Sequence, residues 1–208
     1  MEKKELERRS YTFEIRAAEN EQMRGVLTGR PIVYDSVTDL GYFDEVIARG
    51  ALDRTDLRDV RFLVNHDLSK IPLARSRNNN ENSTMQLTVD ESGLSIRVNL
   101  DIQNNAEARS LYSAVERGDI SGMSFMFAVE DEEWTGLETE HPTRTIKAIS
   151  NVIEVSAVTF PAYADTEISV RNKQALENAK TALDNAKRSL ENDLELEKAK
   201  IAILYGGN

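Results

Sequence analysis

The sequence predicts an α+β chain: one mainly β, barrel-like domain over residues 1–171 with a helix packed outside it, and a helical, coiled-coil-like tail over residues 172–208. Three observations carry this. Short runs of alternating apolar and polar residues recur between residues 10 and 171, the period of strands with one buried face. Helical spacing occurs once inside that stretch, so the order is strands, one inserted helix, then strands, which favours a closed or nearly closed β-structure over an alternating βαβ fold. At residue 172 the composition changes. From there on there is no proline, glycine appears only at Gly206 and Gly207, and Leu176, Leu183 and Leu190 repeat every seven residues with Ala179 and Ala186 between them.

Taken in order, "YTFEIRA" and "RGVLTGRPIVYD" are the first strand-like runs. "RDVRFLVNHD" is the next, with Val60, Phe62, Val64 and His66 on one parity. "SRNNNENS", residues 76–83, is an exposed loop. "STMQLTVDESGLSIRVNLD" reads as a hairpin turning at Glu91, Ser92 and Gly93. "NAEARSLYSAVERG" reads as a helix, because Ala108, Leu111, Tyr112 and Val115 share a face and Gly118 can end it. After it, "GMSFMFAVEDEEW" alternates: Met123, Phe125, Phe127 and Val129 on a core face, Ser124, Met126, Ala128 and Glu130 on the other. A polar hairpin around "GLETEHPTRT" leads to "NVIEVSAVTFPAYA", where Val152, Glu154, Ser156 and Val158 share one face and Ile153, Val155 and Ala157 the other. The tail's six basic and six acidic residues cancel, and "YGGN" stops its helix.

Composition narrows the chemistry. No run of about 18 apolar residues occurs, so no membrane span and no membrane partner is expected. The basic N-terminus is not followed by the apolar stretch of a secretory signal. Cysteine is absent, which removes disulfides, thiol nucleophiles and thiolate metal sites. Two histidines in no metal-binding spacing argue for no metal and no cofactor. The net charge of −10 argues against nucleic acid, whose phosphates need a basic surface.

Three residues combine into one chemistry. Ser124 heads a strand, His66 leaves the end of another, and Glu154 is the only charge in a ten-residue apolar strand run. A carboxylate there is costly to bury without a donor, and an imidazole N–H is one. Hydroxyl, base and orienting acid are the parts of nucleophilic acyl transfer. His141 in "ETEHPTRT" has the context of a solvated loop, and Asp67 that of a cap on the next turn. Asp44 and Glu45 are adjacent and so do not face each other as an acid/base pair. The oxyanion would be held by backbone N–H groups or by an arginine such as Arg144 or Arg171.

The blocks "GRPIVYDSVTDLGYFDEVIARGAL", "VRFLVNHD", "GLSIRVNLD", "ERGDISGMSFMF" and "IEVSAVTFPAYADTEI" follow in the order of the prohead (capsid maturation) proteases of tailed bacteriophages, which the chain resembles over residues 10–171. That family resembles the herpesvirus assemblins, a β-barrel wrapped by helices. The resemblance implies a serine endopeptidase that cuts scaffold or scaffold-like capsid segments, and itself, inside the immature prohead in the host cytoplasm. It implies His66 as base and Ser124 as nucleophile. The third member is Glu154 by the "EVS" block, or His141 by analogy with the second histidine of the herpesvirus enzymes, Glu154 being preferred. The tail offers a surface for self-association. The alternative is a catalytically idle scaffold or assembly protein that uses the tail.

Overall fold

The computed structural model describes residues 6–11, 15–18, 24–159 and 166–205. Eleven strands and two helices follow one another as β1 (Leu6–Tyr11), β2 (Ile15–Ala17), β3 (Val26–Val33), β4 (Thr38–Asp39), β5 (Asp44–Ile47), β6 (Asp59–Val64), β7 (Ala74–Arg77), β8 (Met85–Asp90), β9 (Gly93–Asn99), α1 (Ala106–Glu116), β10 (Gly122–Thr135), β11 (Thr143–Val158) and α2 (Thr166–Tyr205). The α+β class is as the alternation and the single inserted helix led one to expect.

The strands form two sheets. One has seven strands, with the path β1-β10-β11-β5-β4, with β6 attached along the second half of β11 and with β7 paired to β6. The other is β2-β3-β9-β8. Among the described residues neither sheet closes on itself, so there is no closed barrel. Phe62, Phe125, Phe127 and Val155 from the first sheet meet Leu27, Ile32, Leu94 and Ile96 from the second, and α1 adds Ala108, Leu111, Tyr112 and Val115 to the same core. Burying such side chains stabilises by about 1.5–3 kcal/mol each for the larger ones.

Local chemistry explains the elements. Asn105 caps α1, its side chain accepting from the N–H groups of Glu107 and Ala108, and Gly118 follows with φ +79°. The β8–β9 hairpin turns at Glu91 and Ser92. Gly93 is required there, since its φ is +133° and a Cβ would come within 2.0 Å of the Ile32 carbonyl oxygen.

Four details differ from the sequence reading. "YTFEIRA" spans the end of β1 and all of β2, which lie in different sheets, with residues 12–14 outside the described set. The "SRNNNENS" segment is exposed only in its middle: Ser76 lies in β7 fully buried, and Ser83 is buried too. Helix α2 starts at Thr166, before the change of composition. Its end at "YGGN", and the end of the last strand run, residues 160–164, lie outside the described residues.

The fourth is a β-bulge. Met126 pairs with Glu154 but Phe127 pairs with Val152, so Ile153 is an extra residue in β11. The bulge resets the alternation. Val152 turns into the core while Glu154 and Ser156 stay on the opposite side, so the single face drawn through Val152 and Glu154 does not exist.

Candidate active site

Strand β11 is the spine of the site. Strand β10 runs antiparallel along one edge and places Ser124 opposite Ser156 and Met126 opposite Glu154. Strand β6 runs parallel along the other edge, with Arg61 beside Glu154 and Val64 beside Ala157. Side chains paired across strands project to the same face. Met123, Phe125, Val155 and Ala157 point into the core, so Ser124, Glu154 and Ser156 share the opposite face. That face is covered as well: Ser124, Glu154 and Ser156 each have no exposed surface. Ser124 is therefore not a surface serine.

His66 reaches this face by leaving its strand. Parity alone would send its ring with Phe62 and Val64 toward the core. Instead Asn65 and His66 adopt left-handed backbone with φ +51° and +58°. Each such non-glycine residue costs about 1 kcal/mol or more. Hydrogen bonds hold the turn. The Asn65 N–H donates to the Ala157 carbonyl at 2.9 Å, and the Asp67 N–H to the Val64 carbonyl at 3.2 Å. The Asn65 side-chain oxygen accepts from the Thr159 N–H at 3.0 Å. Asp67 caps the next turn by accepting from the Ser69 N–H and hydroxyl, as its position suggested.

The turn brings three side chains into line. His66 Nε2 lies 2.5 Å from Ser124 Oγ, and His66 Nδ1 lies 2.5 Å from Glu154 Oε1. A carboxylate only accepts, so Nδ1 carries the ring proton and Nε2 is left as the acceptor facing the serine. The other Glu154 oxygen, Oε2, accepts from the Ser156 hydroxyl at 2.5 Å. The Ser156 oxygen in turn accepts the His66 backbone N–H at 3.1 Å. The Ser124 hydroxyl has a second acceptor, the Arg9 carbonyl at 2.8 Å, because β1 pairs along β10 with Ser10 opposite Ser124.

Arg9 also belongs to a buried ionic cluster on the core side of β1. Its guanidinium donates to both Glu45 oxygens, at 2.5 and 2.8 Å, and to Glu7 at 2.6 Å. Arg144 donates to Glu7 at 2.7 Å, to Glu45 at 3.0 Å and to Glu132. Burial would push the Glu7 carboxyl up, but Arg144 and Arg9 outweigh it and hold the carboxyl below its ordinary value. For both arginines burial, which favours the neutral form, is outweighed by the carboxylates, and both are held more firmly protonated than usual.

The remaining candidates fall elsewhere. His141 bonds to Asp44 at 3.2 Å and lies 3.7 Å from Asp39, on a largely exposed rim, with no hydrogen bond to Ser124, His66 or Glu154. Asp39, Asp44 and His141 offer the donor types a divalent cation takes, within 4.8 Å of one another, but none of the three is buried. Arg144 is saturated by carboxylates and has no donor to spare for an oxyanion. The Arg171 side chain lies outside the described residues. Sequence reasoning missed Ser156, the Arg9 carbonyl and the Glu45 cluster. Ser156 alone carried a signal, as a second polar residue on the face of Glu154.

No solved protein structure matches the chain. A curated relative, the prohead protease of Enterobacteria phage HK97, is 27% identical over 142 residues, which are 67% of this chain and 56% of that protein's length. The family model described as caudovirus prohead serine protease matches residues 11–181, which include Ser124, His66, Glu154 and Ser156. The chain therefore belongs to the caudovirus prohead serine protease family.

Proposed function

We propose that the chain is a serine endopeptidase that cuts scaffold or scaffold-like capsid segments, and its own chain, during phage prohead maturation. The observation that carries this is the unbroken run from Ser124 Oγ through His66 to Glu154 in a buried setting, with 2.5 Å at each link. Family membership supports the reaction class.

In this reading Ser124 is the nucleophile. Its oxygen attacks the scissile carbonyl carbon as its proton passes to His66 Nε2. Glu154 keeps the ring in the tautomer that can accept that proton and stabilises the imidazolium. The imidazolium then gives the proton to the amide nitrogen as the carbon–nitrogen bond breaks, leaving an acyl-enzyme. Water, deprotonated by His66, attacks the ester, and the proton returns to Ser124 Oγ as the acid product leaves. We assign no cofactor or metal to these steps.

The site would act inside the immature prohead in the host cytoplasm. The two open sheets are, on this reading, the described part of an assemblin-like, barrel-like protease domain over residues 1–171. The tail, 172–208, lends itself to self-association.

The test is labelling by a serine-reactive fluorophosphonate, with cleavage of the cognate capsid or scaffold protein alongside. Ser124→Ala and His66→Ala should fold and lose both activities by on the order of 10⁴- to 10⁶-fold. Cleavage by Ser124→Ala at the wild-type rate would remove the assignment. A folded wild-type protein that neither labels nor cuts would leave an idle assembly protein as the better description.

A further inference from the structure

We propose that Ser156 is a positioning residue for the reaction, setting the geometry of both Glu154 and His66; the proposal rests on the reading of Ser124, His66 and Glu154 above. Ser156 has no exposed surface, and neither of its side-chain hydrogen bonds goes to Ser124. Its one hydroxyl proton goes to Glu154 Oε2 at 2.5 Å, and its oxygen takes the His66 backbone N–H at 3.1 Å.

The two bonds act on different partners for the same end. Glu154 has two oxygens and two donors, His66 Nδ1–H and Ser156 O–H. With only the first, a buried carboxylate could rotate about its last torsion, which is broad for such groups. The hydroxyl fixes the plane of the carboxylate and so the direction from which Oε1 meets the ring. On the other side, His66 stands in a left-handed conformation uncommon outside glycine. The bond from its N–H to Ser156 ties that backbone to β11 beside the bond from Asn65 to Ala157. The main chain of His66 thus reaches Ser156 and its ring reaches Glu154, two side chains on one face of β11. A group that is both donor and acceptor is needed, and serine is the smallest that provides it.

The experiment uses the whole chain and a fluorophosphonate probe, with labelling resolved into kinact and KI per folded molecule. The variants are Ser156→Ala, Ser156→Cys and Ser156→Thr, with urea melts for each. Alanine removes both bonds. Cysteine keeps the volume with a weaker donor, and replaces alanine as the readout if Ser156→Ala does not fold. Threonine keeps the hydroxyl. The expected result is a fall in kinact of about 10- to 100-fold for alanine or cysteine, because a small misplacement of a reacting group costs rates of that order. KI should stay within about twofold, and threonine should recover kinact to within about threefold. Wild-type kinact per folded molecule in the alanine and cysteine variants, with only the urea midpoint lowered, would overturn the proposal and leave Ser156 a structural serine. A wild-type protein that takes no label at all would overturn the Ser124 reading beneath it, a separate and earlier failure.

Discussion

Glu154 has no exposed surface, and two donors reach it, one on each oxygen. An unpaired carboxylate there would cost several kcal/mol. The same arrangement makes Glu154→Gln informative. The amide can turn its N–H₂ toward His66 Nδ1 and favour the wrong tautomer. Activity per folded molecule should fall by about 10²- to 10⁴-fold, less than for Ser124→Ala. An unchanged normalised rate with a lower urea midpoint would make Glu154 structural and bring His141 back into question. At this scale much was legible. Ser124 and Glu154 stand out as polar residues in apolar runs, and His66 by its place at the exit of one. The direction of His66 was not legible, because two successive left-handed residues reverse it and no periodicity reports backbone handedness. Ser156 escaped because a lone serine in a strand is ordinary.

Whole elements were legible wherever a single period ran unbroken: α1, the β8–β9 hairpin and β10 as far as Val129, beyond which Glu130 is an extra residue. They were not where a bulge or a very short strand intervened. The Ile153 bulge shifts a face by one residue without changing composition. Strand β5, four residues long, is held by pairing with distant β11, and the two-residue β4 by pairing with β5, rather than by their own pattern. Helix α2 shows the opposite case, a strong local pattern with little packing. Its 40 residues extend about 60 Å at 1.5 Å each. Leu176 is buried, whereas Leu190, Leu194 and Leu196 are more than half exposed. Leu183 and Leu190 continue the seven-residue series of Leu176, the first half-buried and the second exposed, and leucines left in water at that spacing favour pairing with a second copy. Sedimentation equilibrium should therefore show reversible association of the full chain, weakened by Leu190→Lys. Monomers at all concentrations for both proteins would exclude the tail as a self-association surface.

Across the whole molecule, the ionic cluster joins β1, β5, β10 and β11 through Glu7, Arg9, Glu45, Glu132 and Arg144. Residues as far apart in sequence as Glu7 and Arg144 could not be paired by inspection of a single chain. Glu7 gives the cluster an acid limit. Its carboxyl titrates below its ordinary value of 4.5 in the folded protein, so its contribution is whole above that value and is lost as pH falls through the lower folded one. Unfolding free energies from urea melts of wild type and Glu7→Gln should differ by about 1–3 kcal/mol at pH 6, and the gap should close in acid. A gap independent of pH would mean that Glu7 does not hold this role. Arg9 gives the cluster its other consequence. Its guanidinium is anchored on the core side of the sheet, while its carbonyl competes with His66 for the single Ser124 proton. Both groups belong to one residue of a strand paired along its whole length with β10. A single residue of β1 thus ties the ionic cluster to the hydrogen bonding of Ser124, through its side chain on one face and its main chain at the other.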